Sequence, residues 1–149
     1  MKVYVDTSVF GGCFDPEFEK WSNGFFKEVD KGLKTIVISA LVNNEIEDAP
    51  EQVRSLFARY EFHAEKVLVT DEAVHLAEMY IKEKALTPRF FNDGLHIALA
   101  TIHKIDVLVS WNFKHIVNLN RIRIFNSINL KNGYGLIEIR SPREILIEK

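Results

Sequence analysis

Short apolar runs alternate with longer segments of helical spacing along most of the chain. Runs rich in β-branched and aromatic side chains, which are typical of strands, occur at residues 2–5, 35–38, 67–69, 107–109, 121–125 and 134–139. Apolar side chains recur with helical spacing in segments 17–31, 39–49, 50–60, 70–81, 92–104 and 113–119, and a helical turn is predicted at 142–147. This alternation predicts an α/β fold with a three-layer α/β/α architecture and a mostly parallel central sheet.

Two of the predicted helices stand out by their side chains. The segment 92–104 is apolar apart from Asp93, His96 and His103, and a helix with so small a polar face is buried on most sides. We therefore expect it at the centre of the fold. The segment 17–31 carries an aromatic stripe that predicts either core packing or a contact between two copies of the chain: Trp21, Phe25 and Phe26.

Length and cysteine content exclude several classes of protein. We expect residues 1–149 to form a single domain, since this length suffices to bury one core. Cys13 is the only cysteine, which excludes an internal disulfide and a cysteine-based zinc site. No apolar run approaches the ~20 residues that span a bilayer, and Asp6 interrupts the first apolar stretch too early for a signal peptide. We therefore expect a cytoplasmic protein without a membrane segment.

The net charge of −2 is small, but its distribution along the chain is uneven. Residues 1–100 carry 11 Lys and Arg against 17 Asp and Glu, whereas residues 101–149 carry 8 against 4. The basic part of the chain could form a local phosphate-binding face. A solvated surface with an incidental gradient explains the counts equally well, so charge alone does not assign a partner.

Four polar side chains occupy comparable places in the predicted topology. Asp6 follows the first strand and Asn112 follows the strand at 107–109, while Glu45 lies two turns into the helix after the second strand. Asp93 lies in the first turn of the central helix, where the helix dipole favours a negative charge. Elements that leave the same edge of a parallel sheet bring such positions to one cleft. By itself, Asp6 could equally begin a turn or cap a helix.

A cleft with three carboxylates needs a cation or raised pKa values. Two carboxylates about 4 Å apart repel by roughly 4 kcal/mol at an effective dielectric constant of 20. Three cannot all stay ionised together unless a positive charge compensates them. Ligands that are all oxygen suit Mg²⁺ or Mn²⁺ better than zinc.

In four segments the chain resembles the PIN-domain ribonucleases, a family that includes the toxin halves of many toxin–antitoxin modules. The matching segments spread over most of the chain in the order of the family, namely Val3-Tyr4-Val5-Asp6-Thr7-Ser8, Asn44-Glu45-Ile46, residues 92–100 (NDGLHIALA) and residues 106–113 (DVLVSWNF). Each motif alone is weak, and four in the same order are fairly specific. The resemblance implies a PIN-like fold.

The resemblance also implies metal-dependent hydrolysis of RNA phosphodiester bonds. Asp6, Glu45 and Asp93 would hold one or two Mg²⁺ or Mn²⁺ ions, which would activate a water and neutralise charge on the phosphate. Thr7 or Ser8 would hydrogen-bond a carboxylate or a metal-bound water. The implied partners are RNA, a cognate antitoxin protein and a second copy of the chain in a homodimer.

Asn112 departs from the aspartate that is commoner at the fourth position of the family. An amide oxygen can still bind a hard cation, but it contributes no negative charge. We therefore count Asn112 with the catalytic positions and expect one metal ion to bind well and a second one weakly.

Several other side chains compete for a role in the site. Asp48 lies near the same helix face as Glu45, and we favour Glu45 on the motif and the helical geometry. His96, His103 and His115 are assigned outside the site, because a histidine on a packed helix is more often a hydrogen-bonded core residue. The residues that could contact the RNA backbone, each of which could equally be solvated surface, are Lys114, Arg121 and Arg123.

Other enzyme classes fit the sequence poorly. A phosphatase of the haloacid-dehalogenase type would need an aspartate two residues after Asp6, where Ser8 occurs, and neither GxxxxGK[ST] nor GxGxxG is present. The remaining alternative is a PIN-like scaffold that binds RNA or a protein partner without cutting, which Asn112 leaves open.

Overall fold

The computed structural model describes residues 1–148, which form five strands and seven α-helices. The strands are β1 (Lys2–Val5), β2 (Thr35–Ser39), β3 (Glu65–Val67), β4 (Val107–Val109) and β5 (Glu138–Arg140). The helices are α1 (Thr7–Gly12), α2 (Glu19–Asp30), α3 (Ala40–Ile46), α4 (Glu51–Glu61), α5 (Asp71–Lys82), α6 (Phe91–Ile102) and α7 (Leu119–Lys131). Single 3₁₀ turns lie at Pro88–Phe90 and Pro142–Ile145.

The strands form one sheet in the order β3-β2-β1-β4-β5, and every pairing is parallel. Tyr4 in the central strand pairs with Val37 on one side and with Leu108 on the other, so the carboxyl ends of β1, β2 and β4 meet at one edge. Helix α1 packs on α2, α3 and α4, whereas α5 packs on α6 and α7. The predicted α/β fold is confirmed, with a sheet that is parallel throughout.

The core lies on both faces of β1 and around α6. Val3, Tyr4 and Val5 are fully buried, as expected for a strand covered on both faces. Residues 94–101 of α6 are all buried, which agrees with the central position expected for this helix. Phe25 and Phe26 on α2 lie in the same core, so their part of the aromatic stripe serves packing within one chain.

The prediction of a strand at 121–125 is wrong, because this segment belongs to α7. Asn118 caps the helix by accepting a hydrogen bond from the Arg121 backbone N–H at 3.2 Å. Phe125 and Ile128 then bury themselves three residues apart on one helical face, and this packing outweighs the β-propensity of the isoleucines.

In the described part of the chain, one predicted helix is absent, and two predicted strands have other boundaries. The helix expected at 113–119 is a run of turns that ends where α7 begins. The strand expected at 67–69 is β3, which ends at Val67 and leaves Leu68 exposed, and the run at 134–139 shortens to β5. Within residues 1–148, no helix has the length and the apolar character needed to cross a membrane.

An ion pair between Glu28 and Lys34 is buried beneath the end of α2. Both side chains are at most 3% exposed, and the Lys34 ammonium donates a hydrogen bond to Glu28 Oε1. The backbone N–H groups of Ile147 and Glu148 also donate to Glu28, at 3.0 and 2.7 Å to Oε2. Glu28 therefore holds residues 147–148 against the turn that connects α2 to β2.

Candidate active site

Asp6 lies at the carboxyl edge of the sheet, directly after β1, and is 5% exposed. Ser8 donates to Asp6 Oδ1 from its backbone N–H at 3.1 Å and from its hydroxyl at 2.6 Å, and the Ser110 hydroxyl donates to Oδ2 at 2.6 Å. Burial raises the pKa of Asp6 and the charge of Glu45 raises it further, whereas His96 and the two serines act in the opposite direction. Asp6 thus caps α1, and its buried carboxylate lies within the electrostatic influence of a second carboxylate, that of Glu45.

Glu45 projects from α3 toward the same edge. Its Oε1 accepts a hydrogen bond from the Thr7 hydroxyl at 2.8 Å and lies 2.6 Å from His96 Nε2. Burial alone would raise the pKa of Glu45, but the hydrogen bond and charge of His96, together with Thr7, hold the pKa below its usual range. Asp48, the competing acid, is exposed in the turn after α3.

His96 is the residue whose place in the site was missed. It is a hydrogen-bonded core histidine, as expected, but Glu45 is one of its two partners. Its Nδ1 lies 2.8 Å from the hydroxyl of Tyr4, which in turn lies 2.8 Å from the Ser39 hydroxyl. His96 follows Asp93 by three residues, a spacing that places both on one helix face, and this was the available signal.

Asp93 lies in the first turn of α6 and is partly buried. Burial raises its pKa and so does the charge of Glu45, while His96, His115 and the Asn112 side chain lower it. Asn112 Oδ1 accepts the backbone N–H of His115 at 2.9 Å. The imidazole Nδ1 of His115 lies 3.5 Å from Asp93 Oδ2.

His115 therefore belongs beside the carboxylates, contrary to the prediction that placed it outside the site. It was missed because all three histidines were assigned by the usual behaviour of histidines on packed helices, and residues 113–119 were predicted to be a helix. His103 lies apart, with Nε2 2.9 Å from the backbone carbonyl of Leu68 at the opposite end of α6.

The three basic candidates fall into two groups. Lys114 and Arg121 act on His115, whose pKa is lowered first by burial and then by these cations and Arg89, against the opposing charge of Asp93. Arg123 is exposed on α7 and is not among these cations. Arg89, in the 3₁₀ turn before α6, was not singled out in the sequence.

The donor chemistry of the cluster fits a hard divalent cation. The charge of Glu45 raises the pKa of both Asp6 and Asp93. A cation would relieve that repulsion, and carboxylate oxygen is the ligand that Mg²⁺ and Mn²⁺ prefer. In the part of the chain that the structure describes, no three His, Cys, Asp or Glu side chains are close enough to form a ready-made metal site.

No protein-family model matches the chain, and no curated protein matches it. Its fold is similar to that of a chain in the crystal structure of VapBC2 from Rickettsia felis bound to a DNA fragment from their promoter. The TM-score is 0.59 and the sequence identity 15%, over 95% of this chain and 98% of that chain. A similarity of this extent between such divergent sequences concerns the fold, and it confirms the PIN-like architecture expected from the sequence.

Proposed function

We propose that the protein is a metal-dependent endoribonuclease that hydrolyses phosphodiester bonds of RNA with Mg²⁺ or Mn²⁺. The observation that carries this proposal is that Asp6, Glu45 and Asp93 come from three different elements at the carboxyl edge of the sheet, with the charge of Glu45 raising the pKa of both aspartates. Such edges are where open α/β sheets bind their ligands. Carboxylate oxygens are the ligands that Mg²⁺ prefers, and Mg²⁺ commonly binds the phosphate groups of substrates.

The side chains around the cluster have distinct tasks. Asp6, Glu45 and Asp93 would hold the ion, which when bound lowers the pKa of a coordinated water and offsets charge on the phosphate. Ser8 and Ser110 fix both oxygens of Asp6 by donating to them. Thr7, the residue after Asp6, holds Glu45 by donating a hydrogen bond to its Oε1.

Asn112 is assigned a holding role in the same site. Its oxygen accepts the His115 N–H at 2.9 Å, which shapes the turn after β4. Its side chain also favours the ionised form of Asp93. As a neutral group it adds no negative charge, so we propose one firmly bound ion and a weaker second one.

Cleavage of a labelled single-stranded RNA with Mn²⁺ or EDTA, by the wild type, Asp6→Asn and Asp93→Asn, tests the proposal. Both variants are expected to lose at least about 100-fold in rate, because each removes a proposed metal ligand. Asp48→Asn is the matched control, since Asp48 is an exposed acid outside the cluster. Equal cleavage by all four proteins would indicate a contaminating nuclease and would refute the proposal that this protein is an enzyme.

Metal binding is measured separately. Mn²⁺ is expected to raise the melting temperature of the wild type and of Asp48→Asn, and to have a much smaller effect on Asp93→Asn, because binding to the native state alone stabilises it. If all three proteins respond equally, the carboxylate cluster is not the metal site.

The similarity to VapBC2 supports a further part of the proposal, that the protein acts as the toxin of a toxin–antitoxin pair. VapBC2 was crystallised bound to a DNA fragment from its promoter, and the PIN-domain family that the sequence resembles includes the toxin halves of toxin–antitoxin modules. By analogy, the partners here are an antitoxin protein and a second copy of the chain in a homodimer, in the cytoplasm. Co-expression with the protein encoded by a small adjacent gene, followed by size-exclusion chromatography, tests both partners.

A PIN-like scaffold that binds RNA or a protein without cutting is the second candidate. Asn112, a neutral group beside Asp93, favours it, as does the spacing of the acids, which leaves no ready-made metal site within residues 1–148. RNA binding without cleavage in Mn²⁺ by the folded wild type would support this candidate.

A further inference from the structure

A cavity of about 330 Å³ opens next to the acidic cluster, between the end of α5, the turn before α6 and the start of α7. Its lining includes Leu86, Pro88, Phe90, His115 and Arg121. His115 belongs to both places, because its imidazole Nδ1 is 3.5 Å from Asp93 Oδ2. His115 therefore links the cavity to Asp93, and a ligand that contacts His115 in the cavity lies near one of the proposed metal ligands.

The cavity has a flat aromatic wall. The rings of Phe90 and His115 stack with centroids 3.7 Å apart and an angle of 30° between their planes. Phe90 remains partly exposed, whereas His115 is buried and covers one face of the Phe90 ring. Leu86 and Pro88 complete an apolar lining. A planar ring is the shape that such a wall accepts, and nucleobases stack on aromatic side chains in this way.

Cations surround this wall. The Arg89 guanidinium lies 5.5 Å from the centre of the Phe90 ring, and Arg121 lines the cavity itself. Arg121 Nη1 donates a hydrogen bond to the Ala85 carbonyl, which fixes the guanidinium at the cavity. Lys114 is exposed beside His115. A ligand that fits this cavity would have a planar ring that stacks on the aromatic wall and a negative charge that pairs with the arginines.

A ribonucleotide unit has both features. Its base offers a planar face, and its phosphate pairs with guanidinium groups, which recognise phosphate oxygens in a bidentate manner. The arginines and Asp93 both act on the imidazole of His115, so the positive groups of the cavity and the acids flank the same side chain. A polynucleotide chain can therefore place one phosphate at the arginines and the next one at the acids.

We propose that this cavity binds one nucleotide of single-stranded RNA, next to the phosphodiester that is cut, with its base on Phe90 and its phosphate on Arg89 and Arg121. The RNA is single-stranded because a base within a duplex is already stacked and cannot lie on Phe90. This proposal rests on the proposed function, and it assigns the binding of the neighbouring nucleotide to residues outside the acidic cluster.

Binding of a fluorescein-labelled 12-nucleotide single-stranded RNA, measured by anisotropy in EDTA, tests the proposal without cleavage. Phe90→Leu keeps an apolar side chain but removes the stacking face, and it is expected to weaken binding at least about 5-fold, at the low end of values for lost base–aromatic stacking. Arg89→Gln and Arg121→Gln are each expected to weaken binding and to reduce the salt dependence by about one phosphate contact.

Arg59→Gln is the matched control. It removes the same charge from an exposed position on α4, which packs on α1 and α3, away from the cavity. Arg59→Gln has the same net charge as the two arginine variants at the cavity, so a difference between them does not come from net charge. Because Arg59 lies away from the cavity, the affinity of Arg59→Gln for the RNA is expected to stay within twofold of the wild type. Arg89→Gln keeps the test decisive if Arg121→Gln fails to fold, because Arg89 is exposed.

The outcomes separate this proposal from the proposed function. Wild-type affinity for RNA in folded Phe90→Leu and Arg89→Gln would overturn the nucleotide site, even if Asp93→Asn abolishes cleavage. Weakened RNA binding in these variants, by a protein that never cleaves RNA in Mn²⁺, would keep the site and refute the nuclease. If the variants bind RNA as the wild type does but no longer bind a purified antitoxin, the cavity is a protein-docking site and the RNA proposal is wrong.

Discussion

His96 Nε2 lies 2.6 Å from Glu45 Oε1, inside a chain of buried polar groups that continues through Tyr4 to Ser39. Burial raises the pKa of Tyr4, so its hydroxyl keeps its proton. Nε2 of His96 faces a carboxylate, which only accepts, so Nε2 carries a proton and donates to Glu45 in both the neutral and the charged imidazole. The Thr7 hydroxyl donates to the same oxygen, so two donors hold the carboxylate in one orientation.

This geometry predicts that His96 positions Glu45 for metal binding. His96→Asn is too short to reach Glu45, and it is expected to weaken Mn²⁺ affinity and cleavage by about 10–100-fold, the usual effect of losing a group that orients a metal ligand. His96→Gln can place an amide N–H near the position of Nε2, so we expect it to recover part of both properties. Isothermal titration with Mn²⁺ measures the affinity independently of cleavage.

Tyr4→Phe provides the control for this prediction. It removes only the hydroxyl that faces Nδ1 and leaves the hydrogen bond to Glu45 in place. We expect a smaller loss of Mn²⁺ affinity than in His96→Asn. Equal Mn²⁺ affinity in the wild type and a folded His96→Asn would show that the histidine only fills the core.

Gly12 predicts a second measurable effect, because the end of α1 has no room for a side chain. A Cβ at Gly12 would lie 2.5 Å from the Ser22 hydroxyl and 2.5 Å from Trp111 Nε1. These two groups are hydrogen-bonded to each other at 2.8 Å, and neither can move without breaking that bond. Gly12→Ala is expected to lower the free energy of unfolding by about 1–3 kcal/mol, the usual cost of overpacking.

Gly11 supplies the comparison within the same helix. A Cβ at Gly11 meets nothing within 4 Å, so alanine there gains helix propensity without a clash. Gly11→Ala is expected to be neutral or to stabilise by up to about 1 kcal/mol. Urea denaturation of both variants checks the pair, and equal free energies of unfolding would contradict the packing described for Trp111.

The buried pair of Glu28 and Lys34 predicts a pH-dependent stability. Burial alone would raise the pKa of Glu28, but the Lys34 ammonium and the N–H groups of Glu148 and Ile147 outweigh it and lower the pKa below its ordinary value of 4.5. A lowered carboxyl pKa in the folded state stabilises the protein above 4.5, and this contribution is lost as the pH falls from there through the folded-state pKa.

Glu28→Gln should therefore be strongly destabilising at pH 7, by about 3–5 kcal/mol, because it leaves Lys34 buried without its counter-charge. The difference from the wild type should shrink below pH 4.5. Urea denaturation between pH 3 and pH 8 measures it, with the exposed Glu51→Gln as control. A difference from the wild type that stays constant over this range would contradict the pairing.

The sequence was informative where a position follows from topology. Asp6 follows the buried run Val3-Tyr4-Val5, and Asp93 lies in the first turn of a helix that is apolar nearly all round, so the sequence predicts both at one sheet edge. Glu45 was preferred over Asp48 on the family motif and the helical geometry, and Asp48 is exposed in the structure.

Contacts between segments that are distant in the chain could not be predicted from the sequence in the same way. His96 and His115 have the same residue type as His103, and only the fold decides that two of them face carboxylates. The strand wrongly predicted at 121–125 has high β-propensity, but the Asn118 cap and the burial of Phe125 make it a helix. The partnership of Glu28 with residues 147–148 joins opposite ends of the chain, which no local pattern encodes.

The pairing of β1 with β4 has a consequence for how the protein is made. Asp6 and Ser110 are hydrogen-bonded although 104 residues separate them in the chain. During synthesis, β1 can pair with β2 first, but its other edge stays open until β4 emerges from the ribosome, and such open apolar edges are prone to aggregate. Contacts so distant in sequence also form late in folding. A nascent chain that ends before Val107 would already carry all three acids, but Asp6 would still lack the Ser110 side of its pocket.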